Sequence, residues 1–283
     1  HFGAITMTDQ RAHIDPMKCK ECGLCASACP YSAIAQLTRP CKKACPVNAI
    51  TYDENGLCVI DDERCIRCGQ CVHSCPFGAI STKTYILNVI EAIQTGKEVF
   101  AMCAPATEGQ FGKDISMGSI RTALKKLGFT DMVEVGLGGD MTAAYEALEW
   151  SEARKEGKKM TTSCCPAFIH LLKRHFPDQY HENMSQTISP MAAVSRYLKA
   201  THPGCITVFI GPCMAKKSES QEIGIEGNAD YVLSFGEVTC LLRSKDISME
   251  PEVKAYQEAS LWGKGFASSG GVANAVMECM RER

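Results

Sequence analysis

Apolar residues divide the chain into a first part with little periodicity and a second part in which strand-like and helix-like stretches alternate. Between the two parts, apolar residues recur at helical spacing at Ile86, Val89, Ile90 and Ile93. This spacing predicts a helix that connects the two parts within residues 81–97. Beyond it, short apolar runs alternate with amphipathic segments, an order typical of βαβ units. We predict an α/β domain with parallel-sheet lobes over residues 98–283.

The second part also shows where its elements begin and end. Proline is typical of the first turn of a helix, and Pro166 and Pro190 open two predicted helices. Strands are predicted over residues 98–102, 132–135, 205–210 and 231–235, with a short β-compatible stretch over 160–163. Helices are predicted over residues 117–127, 140–155, 166–175 and 190–201, and after Gly270.

Cysteine is several times more frequent than usual and is concentrated in the first part. The chain has 18 Cys among 283 residues, and eleven of them lie between Cys19 and Cys75. A chain of this length with 45% hydrophobic residues forms a core without disulfides, so many of these thiols are predicted to bind a cofactor. The change in composition predicts a domain boundary near residue 80, with a cysteine-rich domain over residues 1–80.

The charge balance argues against polyanionic partners. Thirty basic and 32 acidic residues give a formal net charge of -2, so neither nucleic acid nor a membrane is expected as a partner. No apolar run has the length of a signal-peptide core or of a membrane span. We expect a soluble, cytoplasmic protein.

Three copies of one short motif form an internal repeat in the first part. The motif Cys-Pro-x-x-Ala-Ile begins at Cys29, Cys45 and Cys75. The first and third copies complete the run C-x2-C-x2-C-x3-C-P, in which three thiolates surround one 4Fe–4S cluster and the fourth ligates another. Zinc favours paired C-x2-C knuckles separated by a spacer, and a reducing compartment disfavours disulfides, so both are weaker alternatives. An α+β ferredoxin-like module is expected, with one cluster on Cys19, Cys22, Cys25 and Cys75 and the other on Cys65, Cys68, Cys71 and Cys29.

The middle copy is incomplete, and its role stays open. Cys41 and Cys45 are present, but Ala35 and Thr38 stand where the first two thiols would be. Together with Cys58, three thiols are available, one fewer than a cubane needs. They are either remnants of a duplicated ferredoxin half or ligands of a third cluster with a non-cysteine or distant fourth ligand.

Two motifs in the second part place thiols at the ends of predicted elements. The segment T-S-C-C-P puts Cys164 and Cys165 directly before a helix, whose positive N-terminal end favours thiolates. The segment G-P-C-M-A-K-K-S-E follows the strand that ends at Ile210. It places Cys213 and Lys216 at the carboxyl end of a strand, where α/β sheets bind ligands.

These motifs resemble the signatures T-S-C-C-P and M-P-C-x-x-K-x-x-E of the FeFe-hydrogenases, preceded here by a two-cluster ferredoxin module. The resemblance implies an H-cluster, a 4Fe–4S cubane bridged through a cysteine sulfur to a di-iron centre with CO, cyanide and a dithiolate. Cys165 and Cys213 would ligate the cubane, and Lys216 would hydrogen-bond a diatomic ligand. Cys164 would exchange protons with the bridging amine.

The resemblance also implies a proton path and a cofactor-lining turn. The path continues from Cys164 through Glu146, Ser185 and Glu149. The turn lies at the end of the first predicted strand, around Pro105. The implied activity is the interconversion of H2 with protons and electrons, with electrons relayed through the N-terminal clusters. Implied partners are a redox partner such as ferredoxin and the hydrogenase maturation proteins.

Two departures from the family pattern bear on the expected function. Gly211 replaces the methionine that packs over the di-iron centre, so we expect a roomier pocket. Changes of this kind resemble the sensory branch, which implies a low-turnover H2 sensor with a signalling partner. The third signature, E-x-M-A-C-x-G-G-C, is absent. Residues 266–283 resemble the helix before it, so the chain is expected to end before the site is complete and to be inactive alone.

Other interpretations of these features compete with the hydrogenase hypothesis. A plain ferredoxin-like electron-transfer protein would explain the first part only, and an iron–sulfur assembly protein would carry no di-iron site. The glycines at Gly136, Gly138 and Gly139 follow a strand but lack the spacing of a dinucleotide loop. His170 and His175 are expected to be exposed or hydrogen-bonded rather than metal ligands. Core thiols are predicted at Cys103, Cys205 and Cys240.

Overall fold

The computed structural model describes residues 3–19, 22–35, 38–251 and 256–282. The strands are β1 (Ile5–Thr8), β2 (Arg11–Ile14), β3 (Ile50–Tyr52), β4 (Cys58–Ile60), β5 (Val99–Cys103), β6 (Asp131–Glu134), β7 (Ile206–Ile210) and β8 (Tyr231–Leu233). The helices are α1 (Leu24–Ala28), α2 (Pro40–Lys43), α3 (Gln70–His73), α4 (Ile86–Gln94), α5 (Met117–Leu127), α6 (Gly136–Lys155), α7 (Pro166–His175), α8 (Pro177–Asn183), α9 (Pro190–Thr201), α10 (Ala215–Glu219), α11 (Phe235–Ser244), α12 (Leu261–Lys264) and α13 (Gly271–Arg281). None of these helices is both long enough and apolar enough to span a membrane.

Strands β5 to β8 form a parallel sheet in the order β6-β5-β7-β8. The central strand β5 is buried along its whole length, as expected for a parallel strand covered on both faces. The predicted parallel sheet is therefore confirmed, and each predicted strand lies within two residues of the observed one. The stretch over residues 160–163 forms only an isolated bridge between Thr161 and Met184.

The proline signals set two helix boundaries correctly. Helix α7 begins at Pro166, and α9 begins at Pro190 with the Ser189 side chain accepting a hydrogen bond from the Ala192 amide. Helix α6 begins earlier than predicted, at Gly136. A Cβ atom on Gly138 would lie 2.2 Å from the Pro190 carbonyl oxygen, so this glycine allows α6 to approach α9 closely.

Two apolar cores cover the two faces of the sheet. Helices α4, α5 and α11 pack on one face, and α9 packs on the other. Cys103 and Cys205 are buried in these cores, which confirms the prediction for both thiols. The prediction for Cys240 is wrong, because this thiol is exposed on α11.

The cysteine-rich part consists of two antiparallel hairpins, β1–β2 and β3–β4, with short helices between them. Its three Cys-Pro turns share one conformation, since the third residue after each cysteine has a positive φ: 50° at Ser32, 51° at Asn48 and 63° at Gly78. This common conformation confirms the internal repeat. Helix α2 packs against α3, so the middle and third copies are neighbours.

Candidate functional site

Four thiols line one cavity where the cysteine-rich part meets the α/β domain. The cavity has a volume of about 340 Å³ and is lined by Cys65, Cys68 and Cys71 of the third run and by Cys45 of the middle copy. The other wall residues are apolar ones, among them Ile66, together with polar and charged ones such as Arg67 and Lys217. Four thiolates around one cavity are the donor set that a 4Fe–4S cluster requires, so the residues present fit this cofactor.

The cavity brings one thiol of the middle copy beside three thiols of the third run. Cys45 lines the cavity with them, because the packing of α2 against α3 makes the middle copy the neighbour of the third. The exchange of Cys29 and Cys75 between the clusters of the first and third runs stays a prediction. The Cys-Pro pair of the middle copy was the sequence signal for Cys45. Among the described residues, no three His, Cys, Asp or Glu side chains converge on a single metal ion.

Backbone amides stabilise thiolates at two of the predicted ligands. The Ala33 amide donates to the Cys29 thiol at 3.4 Å and lowers its pKa. At Cys75, amides led by those of Phe77 and Ala79 lower the thiol pKa in the same way. A lowered pKa favours the deprotonated form that ligates iron, so both cysteines remain suited to their predicted role.

The thiol-lined cavity extends to the loop that follows Cys213. Met214 and Lys217 line it together with the cysteines. The Lys217 ammonium donates to the Lys83 carbonyl at 3.0 Å and pairs with Glu237 at 2.9 Å. On the other side, Arg174 donates to the Cys65 carbonyl. These polar contacts fix the cysteine loop against the α/β domain.

Replacing Gly69 by alanine is expected to destabilise this junction. Gly69 has a φ of 82°, and a Cβ atom there would lie 2.7 Å from the Met214 Cβ atom, which cannot rotate away. Left-handed strain of about 1–2 kcal/mol adds to an overpacking cost of about 1–3 kcal/mol. The control is Gly96→Ala, because Gly96 has a φ of 72° but open space around its Cα atom. Thermal unfolding of both reconstituted variants should show the larger loss for Gly69→Ala, and equal losses would contradict the close contact.

The two signature motifs of the second part meet at Lys216. Cys165 directly precedes α7, and Cys213 follows β7, so both thiols lie at element boundaries as predicted. The Lys216 backbone amide donates to the Cys213 carbonyl at 3.3 Å, and its side-chain ammonium donates to the Cys164 carbonyl at 3.3 Å. One lysine thereby ties together the loops that carry the three thiols.

Lys216 is buried, and its charge is matched by a buried carboxylate. Its ammonium lies 2.6 Å from Glu219, and the two residues are 8% and 4% exposed. The Ser189 hydroxyl donates to the other oxygen of this carboxylate. The Asn228 side chain donates to the Glu219 carbonyl at 2.6 Å. Glu219 ends the second motif, but sequence analysis assigned it no role.

The three groups of the predicted proton path are neighbours. The Ser185 hydroxyl donates to Glu149 at 2.5 Å, and Ser185 also lowers the pKa of the nearby Glu146 carboxyl. Glu146 in turn accepts a hydrogen bond of 2.7 Å from the Thr162 hydroxyl. Thr162 accepts a hydrogen bond of 3.4 Å from the Cys164 amide. Thr162 was not predicted, although it begins the motif that contains Cys164.

Burial favours the protonated forms of the two inner groups. Glu146 is 1% exposed, and burial raises its pKa, while hydrogen bonds led by that of Thr162 oppose the shift. Burial also raises the pKa of Cys164, with Glu146 adding to the increase and with Thr162 and Lys216 opposing it. Glu149 lies at the wall of two surface clefts. The path therefore leads from Glu149 at the surface clefts to the half-buried Cys164 thiol, whose raised pKa favours its protonated form.

The turn at Pro105 lies beside Gly211 at the carboxyl edge of the sheet. Residues Pro105–Thr107 form one 3-10 turn directly after β5. A Cβ atom on Gly211 would lie 3.0 Å from the Ala104 Cβ atom and 2.7 Å from the Phe209 ring. The expected roomier pocket at Gly211 is therefore wrong at this point, because Phe209 and Ala104 fill the adjacent space.

Two histidines behave as predicted. The buried His170 ring lies 3.4 Å from the Ser218 hydroxyl, and burial lowers its pKa. The His175 ring lies 2.9 Å from the Arg64 carbonyl oxygen. Both are hydrogen-bonded, which confirms the prediction.

Comparison with protein families gives three matches along the chain. Residues 97–283 match the family described as iron only hydrogenase large subunit, C-terminal domain. Residues 12–35 match a 4Fe-4S binding domain, and residues 35–86 match the LdpA Fe-S cluster-binding domain.

Curated relatives and solved structures agree with these matches. Iron hydrogenase 1 of Clostridium pasteurianum is 28% identical, over 95% of this chain and 51% of its own length. The periplasmic iron hydrogenase large subunit of Nitratidesulfovibrio vulgaris is 30% identical, over 94% of this chain and 65% of its own. An apo FeFe-hydrogenase structure from Chlamydomonas reinhardtii has a TM-score of 0.57 at 22% identity, over 71% of this chain and 58% of that chain, and shows the same fold. The chain spans between half and two thirds of these proteins.

Proposed function

The chain belongs to the iron-only hydrogenase family and carries an N-terminal ferredoxin module, and from this membership we propose that the complete protein interconverts H2 with protons and electrons at an H-cluster. The observation that supports this proposal most directly is that the proposed proton path and the thiol-lined cavity both reach the loop that contains Cys213 and Lys216. The proposed proton path from Glu149 ends at Cys164, whose carbonyl accepts from Lys216. The residue after Cys213 lines the thiol cavity. Protons and electrons would thus arrive at the same few residues.

Cys165 and Cys213 are the residues that would hold the cubane of the H-cluster. When bound, the H-cluster supplies iron that binds hydrogen and a base that exchanges protons. The Cys164 thiol would hold the proton that this base exchanges and would recover one through Glu146, since burial raises the pKa of both groups. Lys216 would orient the cofactor through its ammonium, which its ion pair with Glu219 holds in place.

Electrons would reach this loop from a 4Fe–4S cluster in the cavity. We assign Cys45, Cys65, Cys68 and Cys71 as its ligands, since these four thiols line the same cavity. A ferredoxin-type redox partner in the cytoplasm would supply the electrons, and hydrogenase maturation proteins would install the di-iron centre.

We propose further that turnover is low and that the protein senses H2 for a signalling partner. Gly211 supports this role, because it presents no side chain where the family pattern has methionine. Measured H2 evolution should lie well below the enzyme median of about 10 s⁻¹. A turnover at or above that median would contradict the sensing role and leave the hydrogenase activity standing.

Infrared spectroscopy of the matured protein tests the proposed site. Bands of bound CO and cyanide are expected. Their absence would favour an electron-transfer or assembly protein instead.

Two thiol variants separate the roles of Cys164 and Cys165. Cys164→Ala is expected to keep the CO and cyanide bands and to lose about 10²–10⁴-fold in turnover, because only proton transfer is removed. Cys165→Ala is expected to lose the bands, because a ligand is removed. Equal loss of the bands in both variants would contradict this assignment.

A further inference from the structure

Met214 belongs to the Cys213 loop and to the wall of the thiol-lined cavity at the same time. It directly follows Cys213 between β7 and α10, at a position that the signature M-P-C-x-x-K-x-x-E does not fix. It lines the cavity together with Cys68 and Cys71. Sequence analysis assigned Met214 no role, and the proposed activity does not use it.

Two contacts hold the Met214 side chain against the cysteine-rich part. A Cβ atom on Gly69 would lie 2.7 Å from the Met214 Cβ atom and 2.8 Å from its Cγ atom, so the side chain packs directly on the backbone that joins thiols of the third run. The Thr82 hydroxyl donates to the Met214 sulfur at 3.7 Å. The Met214 carbonyl accepts a hydrogen bond of 3.1 Å from the Lys217 amide, which fixes its backbone at the start of α10.

Contacts that do not involve the Met214 side chain also join the two parts of the molecule. The Lys217 ammonium donates to the Lys83 carbonyl at 3.0 Å, and Arg174 donates to the Cys65 carbonyl. Truncation of Met214 to alanine leaves both contacts in place. The truncation is therefore expected to leave a gap in the cavity wall rather than to separate the two parts, because the surroundings of a shortened side chain relax only partially.

A gap at Met214 would admit water to the cavity. The Thr82 hydroxyl would lose its sulfur partner and would hydrogen-bond water instead. Reduction adds one negative charge to a 4Fe–4S cluster, and water stabilises an added charge better than an apolar side chain does. Solvent access through the shell around a metal site therefore changes its reduction potential. The intact methionine disfavours the reduced cluster and so lowers the potential.

We propose that Met214 is a positioning residue that excludes water from the cavity wall beside Cys213 and thereby keeps the reduction potential of the cavity cluster low. The proposal rests on the 4Fe–4S cluster that we assign to the four cavity thiols. A low potential suits the proposed activity, because a cluster whose electron is destined for protons must be a strong reductant. Met214 acts on the cluster through its packing and is not a ligand.

The test is a redox titration of residues 1–283 after anaerobic reconstitution with ferrous iron and sulfide, with dithionite as the reductant and EPR as the readout. The signal of the cavity cluster is the one that Cys68→Ser removes and that Cys22→Ser, a change in the first run, keeps. In Met214→Ala, the ratio of reduced to oxidised cluster at a fixed potential should rise about tenfold, which is about 59 mV in midpoint potential for one electron. The iron content should equal that of the wild type.

Two further variants are matched controls. Met214→Leu keeps an apolar side chain of similar volume and should keep the wild-type potential. Met277→Ala makes the same truncation at a methionine of α13 that is 51% exposed, and it should leave the potential unchanged.

An unchanged potential in Met214→Ala, or an equal shift in Met214→Leu, would overturn the proposal, since neither result fits the exclusion of water by an apolar side chain. Loss of iron in Met214→Ala would also overturn it, because Met214 would then have a purely structural role. If Cys68→Ser removes no signal of the wild type, the cluster assignment fails and this proposal fails with it. None of these measurements involves hydrogen turnover, so they separate the role of Met214 from the proposed activity.

Discussion

Glu146→Gln should lower hydrogen turnover by about 10²–10⁴-fold while the infrared bands of CO and cyanide persist, because glutamine cannot carry a proton between Ser185 and Cys164. The amide oxygen of glutamine can still accept the hydrogen bonds that the Thr162 hydroxyl and the Ser163 amide donate to Glu146 at 2.7 and 3.2 Å. The loop before α7 should therefore keep its conformation. Turnover and infrared spectra of the matured variant measure the two effects separately.

The same substitution has a predictable effect on stability. Burial raises the pKa of Glu146, so the folded state binds more protons than the unfolded state between the ordinary and the raised value. The free energy of unfolding then falls as the pH rises through that interval. Glutamine does not ionise, so Glu146→Gln avoids the cost of burying a carboxylate and should be at least as stable as the wild type at neutral pH. Thermal unfolding at two pH values measures the difference.

The matched control is Glu152→Gln, an exposed carboxylate on the same helix. It should leave turnover and infrared bands unchanged. Unchanged turnover in Glu146→Gln, or an equal loss in both variants, would contradict a proton path through the interior of α6.

The sequence predicted those elements whose boundaries depend on local signals. Helices α7 and α9 start at prolines, β5 is a continuous apolar run, and β7 is apolar except for Thr207. Helix α11 was missed although Ser234 and Glu237 form a capping box, because its apolar positions follow β8 without a break. Such boundaries depend on a turn of one or two residues, which periodicity does not resolve.

The pairing of thiols could not be derived from spacing alone. The first and third runs have identical spacing, and nothing in their sequences shows which run lies beside the other. The packing of the four-residue helix α2 against α3 places Cys45 in the wall of the cavity that Cys65, Cys68 and Cys71 line, and spacing does not show this proximity. Likewise, the space beside Gly211 is filled by the ring of Phe209 in the preceding strand β7, and the position of that ring depends on its tertiary neighbours.

The roles of the residues in the hydrogenase-like site were predicted from the resemblance to the family. The structure adds the side chains that position these residues. Glu146 and Thr162 are 16 residues apart in sequence, so no local pattern indicates their hydrogen bond. Lys216 and Glu219 are one helical turn apart, but the burial of both charges is a tertiary property. These two contacts could not be predicted from the sequence, because they depend on how the elements pack together.

Lys216→Met should lower the free energy of unfolding by about 3–5 kcal/mol, because it leaves the buried Glu219 carboxylate without its counter-charge. Within the described part of the chain, only Ser189 would still donate a hydrogen bond to the Glu219 carboxylate, which is too little for a charge on a residue that is 4% exposed. The control is Lys158→Met, which breaks an exposed pair with Glu156 of the same 2.6 Å length and should leave the free energy of unfolding nearly unchanged, because water screens both charges.

A second substitution separates lost charge from lost packing. If the cost of Lys216→Met arises from the uncompensated carboxylate, the double variant Lys216→Met with Glu219→Gln should recover most of the lost stability, since no buried charge remains. Denaturant unfolding of the wild type, the two single variants and the double variant gives the interaction energy. Additive losses would show that the two side chains act independently, and the ion pair would then have no part in holding the loops of Cys164 and Cys213 together.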